Sequence, residues 1–352
     1  MHLIPYERSG LDAYPCRPNA AKLRISRSAS AINLIARLVV IQSGNAMNPL
    51  LAIKAVVASR FTKSSSSLLP AALEFCQKHR RGYFPIYLDY PIAARPRYGW
   101  GAMPHASLYS LINSNRNAYA ALIGAFASHE SGLQLIPDGE PDDASSPYWS
   151  NGWVMGIDAV SFYVLPSLFK PNLYVEIGSG NSTKFVRRCI NDNRLKTKII
   201  SIDPQPRAEI DLLCDEVIRL PVENLDITLF DQLQSGDILM VDNSHRCFQN
   251  SDVTAVFLDI FPRLQPGVII YIDDVYLPYD YPPEWSTRYY SEQYLLAVML
   301  LADADRRYEI LLPAWFVSKD SALQKVVEEC WTKIGLETRV GFGGNGFWIR
   351  VK

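Results

Sequence analysis

The chain has 352 residues, 48% of them apolar, enough to bury one large core or two modest ones. A formal net charge of −1 gives no overall bias towards nucleic acid. Six scattered cysteines, with no Cys-x-x-Cys pair, argue against a disulfide framework and for a reducing, cytoplasmic setting.

The near-neutral total hides an asymmetry. Residues 1–63 carry nine Lys/Arg against only Glu7 and Asp12, which leaves 26 basic and 34 acidic residues in the remainder. Residues 1–80 therefore read as a basic leader and linker, partly disordered, that ends in "KSSSSLLP" and a short helix over Leu68–His79. The leader's composition also suits a transit segment or a peripheral contact with an anionic membrane surface, but an extension outside the working protein is the plainer expectation. No apolar run in the chain reaches the length of a bilayer span, so a soluble protein is expected.

Residues 83–105, "YFPIYLDYPIAARPRYGWGAMPH", are too rich in Pro, Gly and aromatics for helix. Helical spacing returns over 106–129 through Leu108, Leu111, Ile112, Tyr119, Leu122, Ile123 and Phe126. A polar loop (137–150) and an apolar helix (151–169) follow. Residues 81–150 thus read as an N-terminal cap or substrate region, and 151–352 as the main domain.

From residue 172 short apolar runs alternate with helical segments. Strands are expected at 173–177, 198–203, 216–220, 237–242 and 267–273, with helices near 182–192, 207–214, 226–233 and 251–264. A helix (287–302), a strand (308–312), a helix (321–333) and a last strand (346–351) complete the chain. This rhythm predicts an α/β fold with a mostly parallel sheet covered on both faces, its last strand inserted antiparallel.

The stretch "LYVEIGSGNSTKF" (173–185) places a Gly-x-Gly turn between a strand and a helix. Gly178 and Gly180 permit close backbone approach, and the helix start offers unpaired N–H groups. Thr183 stands where a dinucleotide turn carries its third glycine, and Asn181 or Ser182 is a good helix cap. Glu176 would sit badly beside a pyrophosphate, so the turn argues against NAD. It suits S-adenosylmethionine, whose ammonium an acid beside the turn can hold. Asp203, at the end of the next strand, can accept both ribose hydroxyls, while Val222 and Glu223 offer a wall and a partner for adenine. Glu176, Gly178, Ser179, Gly180, Asn181, Ser182, Asp203, Val222 and Glu223 are the candidate cofactor residues.

The successive motifs "EIGSGNST", "SIDPQPR", "GDILMVDNSH" and "PGVIIYIDDVYLPYDYPPEW" resemble those of class I S-adenosylmethionine-dependent methyltransferases, within a bacterial branch of unsettled substrate. The resemblance runs from about Trp149 to the C-terminus. It implies a Rossmann-like seven-stranded sheet with an antiparallel C-terminal strand, behind an N-terminal helical and looped extension. It also places ligand at the carboxyl ends of the strands.

Strand ends converge on one rim, so Asp242, His245, Asp273 and Asp274 are expected to cluster. Two chemistries fit them. Asp242, His245 or Asp274 can act on the acceptor, with His245 or Asp274 as general base. Alternatively Asp242, Asp273 and Asp274 bind Mg²⁺ or Mn²⁺, which would lower the pKa of an acceptor oxygen. The latter arrangement is similar to the catechol O-methyltransferase group, although that group has Asp-Asn where this chain has Asp-Asp. The aromatic segment 276–290 reads as a lid or as a packed surface loop. Arg95, Arg97, Tyr98 and His105 suit a clamp for an anionic group, or solvent exposure. Trp149, Trp153 and Asp158 are placed to cover the cofactor. The acceptor class expected is a small molecule or glycan; the rivals are an NAD-dependent oxidoreductase and a non-catalytic cofactor-binding scaffold.

Overall fold

The computed structural model describes residues 92–206, 208–303 and 307–352. The expected leader and the helix at Leu68–His79 lie outside these residues. The segments Leu173–Ile177 (β1), Lys198–Ile202 (β2), Glu216–Ile218 (β3), Ile238–Val241 (β4), Ile269–Ile272 (β5), Tyr308–Pro313 (β6) and Phe347–Val351 (β7) pair into one sheet. Its order is β3-β2-β1-β4-β5-β7-β6. Strands β1 to β5 pair in parallel, and β7 runs antiparallel between β5 and β6. Every residue of β4 and β5 is buried, which explains why these strands read as unbroken apolar runs rather than alternating ones.

The helices are Ala106–Asn113 (α1), Arg116–Ala125 (α2), Glu130–Gln134 (α3), Gly156–Phe169 (α4), Asn181–Asp192 (α5), Asp252–Thr254 (α6), Glu292–Ala302 (α7), Ala314–Lys319 (α8) and Ser321–Lys333 (α9). Helix α4 is buried on every side from Gly156 to Pro166, in keeping with a sequence that lacks a polar face. It packs on α5, whose apolar stripe is Phe185, Val186, Cys189 and Ile190. Helix α2 packs on α9 and β6, where Asn115 Nδ2 donates to the Ile310 carbonyl at 2.8 Å. Among the described residues no helix is long and apolar enough to cross a membrane.

Three expected helices differ. Residues 207–214 hold only a 3-10 turn at Asp211–Leu213, and 226–233 only a 3-10 segment at Ile227–Gln232. In the second of these, Ile227 and Thr228 are β-branched, which lowers helix propensity. Segment 251–264 is helical but mixed, with α6 continuing as a π-helical stretch over Ala255–Ile260. Strand β3 is correspondingly short.

The chain leaves β1 for β2 on one side, while β4 lies on the other. This reversal opens a crevice at the carboxyl ends of β1 and β4, where open α/β sheets hold their ligands.

Candidate active site

The crevice begins with Gly178, just beyond β1. Its φ is +87°, and a Cβ there would run into the Asp242 carbonyl oxygen. The approach is fixed by backbone pairing, since Asp242 N donates to the Ile177 carbonyl (2.8 Å) and Gly178 N to that of Ile202 (2.9 Å). Glycine is therefore required at 178 by both conformation and space. Gly180 is different: a Cβ there meets no atom within 4 Å.

The turn is held from below and from the side. Thr183 Oγ1 donates to Glu176 Oε1 (2.8 Å) and accepts from Gly180 N (3.2 Å), while Ser179 N donates to Asp203 Oδ2 (2.9 Å). Glu176 is fully buried under the turn, and its second oxygen has no hydrogen-bond partner. Burial pushes its carboxyl up to about 7, against the opposing hydrogen bond from Thr183. It faces neither of the two cavities described next, so in this structure it braces the turn.

A cavity of about 350 Å³ lies on one side, lined by Gly178, Ser179, Asp203, Val222 and Glu223. A cleft of about 740 Å³ lies on the other, lined by Ser179, Gly180, Asn181 and Ser182 and by Asp242, His245, Asp273 and Asp274. Ser179 and Asp242 line both. The structure thus distributes the candidate cofactor residues, Glu176 apart, along a continuous two-chambered surface.

His245 is 3% exposed and adopts a left-handed backbone conformation, φ +58°. Its Nδ1 lies 2.8 Å from Glu292 Oε2; its Nε2 lies 3.3 Å from Asp242 Oδ1 and 3.4 Å from Asp274 Oδ2. Asn243 completes the network by donating Nδ2 to Glu292 Oε1 (2.9 Å) and accepting from His245 N (2.8 Å). Burial alone would lower the imidazole pKa, but hydrogen bonds with Asp242 and Glu292 and the nearby charge of Asp274 carry it well above the ordinary histidine range.

Asp273 and Asp274 point different ways. Asp273 Oδ1 accepts from Tyr271 Oη at 2.5 Å, and burial, followed by Asp242, Asp274 and Asp158, holds its carboxyl well above the usual range. Asp274 Oδ1 accepts from Asn345 Nδ2 at 2.7 Å. Asp158, inside α4, accepts from the backbone of Asn345 and Gly346 and is pushed up to about 7 chiefly by burial.

These contacts bear on the metal expectation for Asp242, Asp273 and Asp274. Among the described residues no three His, Cys, Asp or Glu side chains are grouped to hold a metal ion. The imidazole stands between Asp242 and Asp274, where a shared cation would sit, and Asp273 is engaged by Tyr271. The donor set as built does not fit Mg²⁺ or Mn²⁺.

The aromatic segment walls the cleft through Tyr276, Trp285 and Tyr290. A strap from the upstream loop holds it. Asp280 accepts from Arg97 N (2.5 Å), Tyr98 N (2.9 Å) and Tyr294 Oη (3.1 Å), and Trp100 Nε1 donates to its carbonyl (2.9 Å). Arg95, Arg97, Tyr98 and His105 line neither cavity; His105 instead caps α1 by accepting from Leu108 N (3.3 Å). Trp149, Trp153 and Asp158 all line the large cleft; Trp153 is 66% exposed, while Trp149 is buried and packs against Phe185. Sequence reasoning did not find Glu292, Asn243 or Asp280. The signal for Glu292 was faint: one acid at the head of an otherwise apolar helix.

Residues 175–275 match a family model described as a methyltransferase domain. Among solved structures, an SAH-bound methyltransferase of Podospora anserina, PaMTH1, is similar at 19% identity and a TM-score of 0.35, covering 65% of this chain and 88% of its own. No curated protein matches the chain.

Proposed function

We propose that this chain, whose residues 175–275 match a methyltransferase-domain model, is a class I S-adenosylmethionine-dependent methyltransferase that methylates a hydroxyl of a small molecule or glycan, with His245 as proton acceptor. The observation that carries this reading is that His245, backed by Glu292, lines a cleft that shares Ser179 and Asp242 with the second cavity.

The residues fit the cofactor. Asp203 accepts one backbone hydrogen bond on each oxygen, from Ser179 N and Gln205 N, and each oxygen keeps a lone pair for a ribose hydroxyl. Val222 supplies an apolar wall and Glu223 a polar edge for adenine. The N–H groups of Asn181 and Ser182, at the start of a 12-residue helix, suit the carboxylate of the methionyl part. When bound, the cofactor supplies an electrophilic methyl group on a sulfonium.

The chain's own residues do the rest. Asp242 and Asp274 orient the acceptor hydroxyl, and His245 Nε2 takes its proton as the oxygen becomes nucleophilic. Glu292 holds Nδ1–H, fixes the tautomer and stabilises the imidazolium, as a carboxylate behind a catalytic histidine does. The carboxylates around the ring make it a stronger base. No step here requires a divalent ion.

Calorimetry with S-adenosylhomocysteine and with NAD tests the reading. Saturable binding of the first and none of the second is expected; binding of NAD alone would overturn it.

A further inference from the structure

The floor of the large cleft is acidic, but its rim is not. Two arginines line it, Arg288 and Arg339. Arg339 has its donors engaged: Nε bonds Asp138 Oδ1 at 2.6 Å, and Nη1 and Nη2 donate to the carbonyls of Gln134 (3.2 Å) and Ile136 (2.5 Å). Arg288 is held differently. Its guanidinium lies 3.9 Å from the centre of the Trp285 ring and 5.5 Å from that of Tyr290. Among the described residues no carboxylate lies within ion-pair distance of it, although the chain body is acidic.

Stacking fixes the plane of a guanidinium while leaving its N–H edge available, and that edge matches two oxygens of a carboxylate or phosphate. A second cation reinforces the shelf. Arg246 Cζ lies 4.9 Å from the Tyr290 ring, and its Nε donates to the Arg288 carbonyl at 2.9 Å, which fixes the backbone beneath the stacked side chain. The same cleft is walled by Tyr276, Trp285 and Tyr290, whose flat, amphipathic rings suit a sugar face. Its volume of about 740 Å³ is of the size that encloses a small-molecule ligand.

We propose that Arg288, stacked on Trp285, binds an anionic group of the acceptor, a carboxylate or a phosphate, while an acceptor hydroxyl faces His245; the substrate class is an acidic sugar. This rests on the methyltransferase reading above and narrows it. Arg288 is then the specificity-determining residue of the acceptor site, in place of the upstream arginines that the sequence suggested.

The test uses NMR titration of the full chain, saturated with S-adenosylhomocysteine, with glucuronate, glucose 6-phosphate and glucose. At least one of the two anionic sugars should bind about tenfold or more tighter than glucose, the size of one charge-assisted contact. Which one does so separates carboxylate from phosphate recognition. R288Q should abolish that preference and R288K should retain part of it, with S-adenosylhomocysteine affinity unchanged in both. Equal binding of glucose, no binding of either anion, or an anion preference that survives R288Q overturns the proposal. So does a tenfold loss of S-adenosylhomocysteine affinity in R288Q, which would assign Arg288 to the cofactor. If S-adenosylhomocysteine does not bind the wild type, the methyltransferase reading fails, and the same sugars titrated alone still decide whether Arg288 selects anions.

Discussion

Glu292 Oε2 lies 2.8 Å from His245 Nδ1, and the two residues are 99% and 97% buried. The pair joins the loop after β4 to the first turn of α7, 47 residues further along the chain. A second tie runs alongside it, since the His245 carbonyl accepts from Ser291 N and Glu292 N. The side chain that organises the cleft floor is thereby part of the fold's own framework.

Removing either partner strands a buried charge. E292A and H245A are each expected to lower stability by about 3–5 kcal/mol. The double variant should cost clearly less than the sum, because neither charge is left unpaired. Urea unfolding of the four proteins measures this. Strict additivity would show that the pair is not coupled and remove Glu292 from the mechanism.

Glu176 predicts a pH dependence of stability. Its carboxyl titrates near 7 in the folded chain against an ordinary value of 4.5, so the folded state holds its proton more tightly. That contribution to stability is complete below about pH 4.5 and is lost as pH rises through 7. Between pH 5 and pH 8 the wild type should lose up to roughly 3 kcal/mol more than E176Q, which keeps the shape without the titration. Parallel unfolding midpoints across that range for both proteins would expose the idea as wrong.

Asp280 ties the aromatic wall to the upstream loop through three accepted hydrogen bonds. D280A should leave the amides of Arg97 and Tyr98 without their acceptor and weaken the closed arrangement by about 2–3 kcal/mol. Hydrogen exchange should then quicken by roughly 30-fold or more at 97–101 and 276–285 while the sheet stays protected. Unchanged exchange at 97–101 would show that Asp280 does not hold the strap.

Much of this was legible in the chain itself. Strands β1, β4 and β5 announced themselves as buried apolar runs, and the Gly178–Gly180 turn marked the crevice between them. The crossovers around β3 were less so, because apolar spacing there suggested helices where the chain makes only 3-10 turns, at Asp211–Leu213 and Ile227–Gln232. The direction in which side chains turn was not legible at all. Glu176 has the sequence position of a ligand contact, yet Thr183 draws it beneath the turn. Asp273 and Asp274 read as a pair, but Tyr271 takes one and Asn345 the other. Glu292 escaped because a contact across 47 residues leaves no local pattern.

The lining that the two cavities share at Ser179 and Asp242 has a consequence for ligand chemistry. Two chambers that share these lining residues can accept separate fragments, each too small to bind well alone. A tether threaded past Ser179 makes the second fragment's capture intramolecular, so affinity grows without any new contact. Its length is critical: too short and it cannot span the divide, too long and the advantage decays.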